Sequence, residues 1–250
     1  MGQGATRGSA FRADGGRLSE PARKVGAVTS PTSNSAKFTG WPAEALEFYE
    51  GLEADNSKAY WTAHKAVYDS AVLAPMEALL SELEAEFGDS KLFRPYRDVR
   101  FSADKSPYKT AIGATLEKGG YVHLSADGLA VASGYHMMAP DQIERYRQAV
   151  AEDITGEELR RVIARVEGAG SQVVGENPLK TAPRGYAKDH PRIDLLRNKG
   201  LIAWKEWPVE PWLETAGVKT RVVKVLRAGR PLQEWLDAHV GPTELSREER

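Results

Sequence analysis

Between Arg94 and Lys109 the chain carries Arg94, Arg97, Asp98, Arg100, Asp104, Lys105 and Lys109, five cations against two carboxylates and a local charge of +3. The spacing follows neither a helical nor a strand period, which predicts a loop. Arginine forks hold carboxylate or phosphate at two points, while lysines act as flexible point charges, so the run calls for built-in acidic partners or an anionic guest. A second run, from Lys180 to Lys199, sets Lys180, Arg184, Lys188, Arg192, Arg197 and Lys199 against Asp189 and Asp194, for +4 with His190 uncounted. The chemistry these residues suggest is anion binding by Arg94, Arg97, Arg100, Lys105, Lys109, Lys180 and Arg184. Asp98, Tyr108, Asp189 and His190 are the candidates for moving a proton. A helix beginning at Pro191, capped by Asp189 or His190 and ending at Gly200, would aim free backbone N–H groups at Arg184 and Gly185, and such a terminus favours an anion. The expectation is that both runs converge on one pocket, because bringing them together costs repulsion unless acidic residues or a bound anion compensate.

Two other readings stand beside this one. Tyr96, Phe101, Tyr108 and Tyr186 could interleave with the cations as a nucleic-acid surface, although a net charge of -1 for the whole chain argues against a broad electrostatic partner. Alternatively, the arginines and aspartates form an internal salt-bridge network that fixes a long loop, and function lies elsewhere. No metal is expected. The chain has no cysteine, and His64, His123 and His136 lack further ligands at diagnostic spacing, so they read as packed or sheet histidines. No cofactor is implied, since there is no nucleotide-binding glycine loop, no Gly-x-Ser-x-Gly elbow and no His-Glu-x-x-His.

The spacing Arg94-x-x-Arg97-Asp98-x-Arg100-Phe101-x-x-Asp104-Lys105-x-x-Tyr108-Lys109 resembles the signature of DUF2461, a bacterial family of unknown function. Phe48, Leu52, Asn56, Trp61, Tyr68 and Pro75 match its amino-terminal helices. Lys180-x-x-Pro183-Arg184-Gly185-Tyr186-x-x-Asp189-His190-Pro191 matches its second segment. The resemblance runs from about Phe38 to about Val240 and implies no established activity. The stretch before Phe38 falls outside it.

The elements that must hold these residues follow from patterning. Residues 1–37 are rich in Gly, Ser, Ala, Thr and Arg and read as a disordered extension whose removal leaves stability nearly unchanged. From Pro42 the apolar residues recur at helical spacing through Leu52, then, from a cap at Asn56 or Ser57, through Val72 and, past a break or kink at Pro75, to Phe87. Thr110 to Leu116, Tyr121 to Ala126 and Leu129 to Tyr135 are β-prone, with Asp127-Gly128 a strong hairpin signal, and read as an antiparallel meander. Helices from Pro140 and from a capping box at Thr155, a turn or short strand near Val173, a strand from Leu201 to Trp207 and closing apolar helices complete the pattern. Residues 38–240 are thus one α+β domain, an antiparallel sheet of about four to six strands packed against helices from both ends of the chain, with residues 241–250 a frayed tail. No apolar run is long enough to cross a bilayer. Lack of cysteine fits a reducing cytoplasm, and the expected partner is a small anionic ligand.

Overall fold

Antiparallel pairing dominates the chain from Ser90 to Trp207. In the computed structural model, which describes residues 37–100 and 104–246, the described strands form a six-stranded sheet in the order β1-β2-β3-β4-β6-β5. The strands are β1 (Ser90–Leu92), β2 (Ala111–Leu116), β3 (Gly120–Ser125), β4 (Gly128–Tyr135), β5 (Gln172–Glu176) and β6 (Gly200–Trp207), each paired antiparallel with its neighbours. The predicted meander is present as β2 to β4. Ser125 pairs with Gly128, and Gly128 takes φ +123°, a conformation glycine adopts without penalty. β6 then inserts between β4 and β5, so the two ends of the sheet order are β1 and β5.

The register sorts side chains onto two faces. Ile112, Ala114, Leu116, Val122, Leu124, Leu129 and Val131 join one buried cluster with Phe48, Tyr49, Leu52, Trp61, Met76, Leu79 and Leu83. These last belong to helices α1 (Ala43–Ala54), α2 (Lys58–Val67) and α3 (Ala74–Phe87). Burying each large apolar side chain contributes about 1.5–3 kcal/mol before entropy is charged against it. Leu201 and Ala203 join a second cluster with residues of α4 (Pro140–Ala151), α5 (Asp153–Gly168) and the short α6 (Ile193–Leu196). Helix α7 (Gly217–His239) runs under both clusters. Its approach is close: a Cβ on Gly229 would stand 1.9 Å from the Ser133 Oγ. The result is a single mixed α+β domain. On the face turned from the helices, Ala130, Ala132, Ile202 and Trp204, with Tyr121 beside them, form a small cluster of strand residues alone.

Several expectations change. Pro75 does not break its helix. α2 passes through a π-helical stretch, Tyr68–Leu73, into α3, where Pro75 lies in the first turn and needs no donor of its own. The cap of α5 is Glu152, whose carboxylate accepts the Thr155 N–H at 2.7 Å, so Thr155 is inside the helix rather than at its start. Ser57 caps α2 by accepting the Tyr60 N–H, which leaves Asn56 for another task. The predicted Pro191–Gly200 helix shrinks to the four residues of α6. The last described residues are also held. Gln142 donates to the Gly241 carbonyl, Arg145 to those of Val240 and Pro242, and Asp141 accepts from the Thr243 hydroxyl and the Glu244 N–H. The extension assigned to residues 1–37 lies, apart from Lys37, outside the described residues, as do residues 247–250. Among the described residues no helix is long and apolar enough to cross a membrane.

Candidate functional site

The first basic run is an arm that prolongs the β1–β2 pairing. The Phe93 N–H donates to Gly113 O (2.9 Å), Lys109 N–H to Pro95 O (2.7 Å) and Arg97 N–H to Pro107 O (3.0 Å), with Tyr96 and Tyr108 bridged between. Pro95 and Pro107 supply carbonyls here, and their missing N–H groups cost the ladder nothing. Asn56 brackets Tyr108 from the helix side: its amide donates to the Tyr108 carbonyl and accepts the Tyr108 N–H, both at 3.0 Å, as a neighbouring strand would. The buried Tyr108 ring stacks on Trp61, centroids 4.4 Å apart and planes 6° from parallel. Helix α2 and the preceding turn therefore fix where the arm leaves the sheet.

At the tip the charges pair with one another. Arg100 forks onto Asp98 (Nε to Oδ1 2.9 Å, Nη2 to Oδ2 2.6 Å), Arg97 pairs with Asp104, and the Lys105 ammonium donates to the Val99 carbonyl at 2.9 Å. The side-chain and backbone hydrogen bonds from Arg100 hold Asp98 down at about 2. Hydrogen bonds from Ser106, helped by Arg97, lower Asp104. A carboxylate held so low is a poor proton shuttle near neutrality, and Tyr108 is stacked in the core, so neither is well placed for the proton-moving role its residue type suggests.

The second basic run does not meet the first. The arm springs from the end of β1 and returns at the start of β2, whereas Lys180 to Lys199 joins the end of β5 to the start of β6. The antiparallel register puts these points at opposite ends and opposite edges of the sheet. Five strand spacings of about 4.8 Å and a strand length of about 17 Å separate them by on the order of 30 Å. That is several screening lengths of about 8 Å, so no compensating anion is needed between them, and the expected shared pocket is not formed. Arg184 and Asp189 are exposed, the Lys180 carbonyl accepts from Arg197 at 2.8 Å, and His190 Nδ1 accepts the Arg192 N–H at 3.1 Å.

Arg192 is the exception in this run. Only 3% exposed, it donates to the carbonyls of Val150 (2.7 Å) and Ala151 (3.0 Å) and pairs with Asp153 and Glu157, both at 2.8 Å. It thus satisfies orphan carbonyls at the end of α4 and joins them to the first turns of α5. Gly156 leaves it room, since a Cβ there would stand 2.5 Å from its Nε.

A site that patterning passed over lies on the sheet face turned from the helices. The Lys109 ammonium stands 5.4 Å above the Phe93 ring centroid, Phe93 is 6.3 Å from the Tyr121 ring, and the Tyr121 hydroxyl meets His123 Nδ1 at 2.9 Å. Gly113 allows this, because a Cβ there would come within 2.7 Å of the Tyr121 oxygen. Burial pushes Tyr121 up to about 12. It pushes His123 down to about 4, with Asp127 opposing more weakly, so the imidazole is neutral around pH 7. The signal in the sequence was the alternation of Tyr121 and His123 on one face of β3, opposite Gly113. Two clefts of about 420 and 350 Å³ lie elsewhere, one beside Glu86, Lys118 and Arg230, the other beside Arg160, Asp194 and Asn198. Arg227 and Arg230 hold Glu86, and Arg160 holds Asp194.

Residues 44–235 match the family described as "Conserved hypothetical protein (DUF2461)". The chain belongs to the DUF2461 family. The match takes in the arm, the Tyr121–His123 pair and the Arg192 clamp, so all three are parts of a DUF2461 domain. No curated protein matches the chain. Among solved structures, an uncharacterized protein from Methanothermobacter thermautotrophicus is similar at 13% identity over 66% of this chain and 96% of that one, with a TM-score of 0.36. At that level the likeness bears on neither fold nor function.

Proposed function

We propose that this DUF2461 protein is a cytoplasmic protein that binds a small phosphate- or carboxylate-bearing ligand at the corner of the sheet where the arm leaves β1 and re-enters β2. The observation that supports it is the position of Lys109, which joins the arm, with its net charge of +3, to the Phe93, Tyr121 and His123 side chains on the sheet face. Cations presented beside apolar and neutral polar groups are what an anion needs to be both attracted and oriented. Arg94, Arg97, Arg100, Lys105 and Lys109 supply the charge, and the neutral His123, paired with Tyr121, offers hydrogen bonds rather than charge. Lys180 and Arg184, at the far corner, take no part. The absence of cysteine accords with a reducing cytoplasm.

The Arg97–Asp104 and Arg100–Asp98 pairs favour a second reading, in which the arm is a salt-bridged structural element and binds nothing. Thermal-shift measurements against inorganic phosphate, phosphorylated metabolites and organic acids separate the two. Stabilisation that vanishes in Lys109→Ala and persists in Arg184→Ala supports the ligand site. If no anion stabilises the protein at millimolar concentration, the structural reading stands.

A further inference from the structure

We infer that the ligand of this corner has a flat apolar body with an anionic group at one end and a hydroxyl or amide at the other, read by Lys109 and by the Tyr121–His123 pair respectively. The inference rests on the anion-binding reading given above and adds the shape and polarity of the ligand. Lys109, Phe93, Tyr121 and His123 follow one another across the face: ammonium over ring at 5.4 Å, ring to ring at 6.3 Å, hydroxyl to imidazole at 2.9 Å. Phe93 thus touches both the charged end and the polar end, and the part of its half-buried ring that Lys109 leaves uncovered offers apolar contact to whatever spans the two.

The hydrogen-bond inventory fixes the polarity. If the Tyr121 hydroxyl donates to Nδ1, the imidazole proton is on Nε2, which donates, while the phenol oxygen still accepts. If Nδ1–H donates instead, the hydroxyl proton is released to donate and Nε2 accepts. Either tautomer presents one donor and one acceptor, which suits a group that is itself both, and burial keeps the imidazole in its neutral form. A second carboxylate, which only accepts, would leave one half of the pair unsatisfied in a partly desolvated place.

The test compares 4-hydroxyphenylacetate with phenylacetate, which share the anion and the ring and differ by one hydroxyl, by calorimetric or NMR titration of the full chain. The wild type should bind the hydroxylated acid about tenfold more tightly, the discrimination of one satisfied polar pair. The ratio should fall to about one in Tyr121→Phe and in His123→Phe, while both acids lose affinity in Lys109→Ala. Equal affinity of the two acids in the wild type, still dependent on Lys109, would overturn the inference and leave the anion site standing. Failure of both acids, with inorganic phosphate still stabilising the protein through Lys109, would overturn it as well. No binding of any anion would remove the underlying reading and the inference together. Tyr121→Phe deletes a single oxygen, so its fold is secure even if His123→Phe proves unstable.

Discussion

The arm at one corner of the sheet and the Lys180–Lys199 segment at the other are alike in sequence, with local charges of +3 and +4 and interspersed aspartates. They differ in what holds them. The arm is built by backbone pairing, the Asn56 bracket and the Trp61–Tyr108 stack, with Asp98, Arg100 and Asp104 toward solvent and Arg97 largely covered. The far segment is built around a charge: Arg192 lies in the interior, and the carbonyl ends of α4 depend on it. A basic run therefore does not reveal which cation belongs to the fold and which are presented to solvent. That depends on where a helix ends without partners for its carbonyls.

The largest expected effect is at Arg192. Arg192→Ala strands buried carbonyls and removes an ion-paired guanidinium, and should cost on the order of 3–5 kcal/mol in urea denaturation. Its run-mate Arg184→Ala should stay within about 0.5 kcal/mol. Equal effects would erase the distinction between them. Next is Asn56→Ala, which removes both hydrogen bonds to Tyr108 and should cost about 2 kcal/mol, with faster proteolysis of the arm. A neutral result would mean that the aromatic stack alone anchors it.

A smaller effect is tied to pH. The folded His123 titrates at about 4, below an unfolded value of about 6.5. The unfolded chain therefore binds more protons between those values, and stability falls as pH drops from about 6.5 to about 4. Tyr121 is the hydrogen-bond partner of His123, Asp127 opposes the shift, and the register sets Glu206 on the same face, opposite the Ala130 that pairs with His123. The loss should be at most about 3 kcal/mol, and melting curves of His123→Phe should show that much less decline across this window. Identical pH profiles would show that His123 is accessible to protons in the fold. Smallest of all, Arg100→Ala should leave the urea midpoint unchanged, because its pairing with Asp98 is at the surface. A clear loss there would make the arm resemble the Arg192 corner.

The meander was legible because Asp127-Gly128 and the alternation of Val122 and Leu124 state both turn and register. The class of fold followed from it. β1 was not legible, since Ser90–Leu92 is too short to show a period and is a strand through its pairing with β2. The separation of the two basic runs was hidden for a different reason. It depends on β6 slipping between β4 and β5, a matter of which edge a later strand chooses, and no local pattern encodes that choice. Arg192 was counted as one of six cations because its role is set by the end of α4, some forty residues earlier. Tyr121 and His123 had the right alternation, but their meeting across Gly113 is set by side-chain packing.

The π-helical stretch Tyr68–Leu73 has a consequence for chain length. A wide turn of this kind holds one residue more than an α-helix would, and the Trp41 indole N–H contacts the Val72 carbonyl there at 3.4 Å. Deleting a single residue from it would restore ordinary winding and leave the downstream residues on their faces, whereas inserting one more would rotate everything downstream by about 100°. Met76, Leu79 and Leu83 would swing off the core while Glu82 and Glu86 lost Lys219 and Arg227. Surface loops tolerate insertions of any length, but this helix has already absorbed one residue and its packing leaves no place for a second.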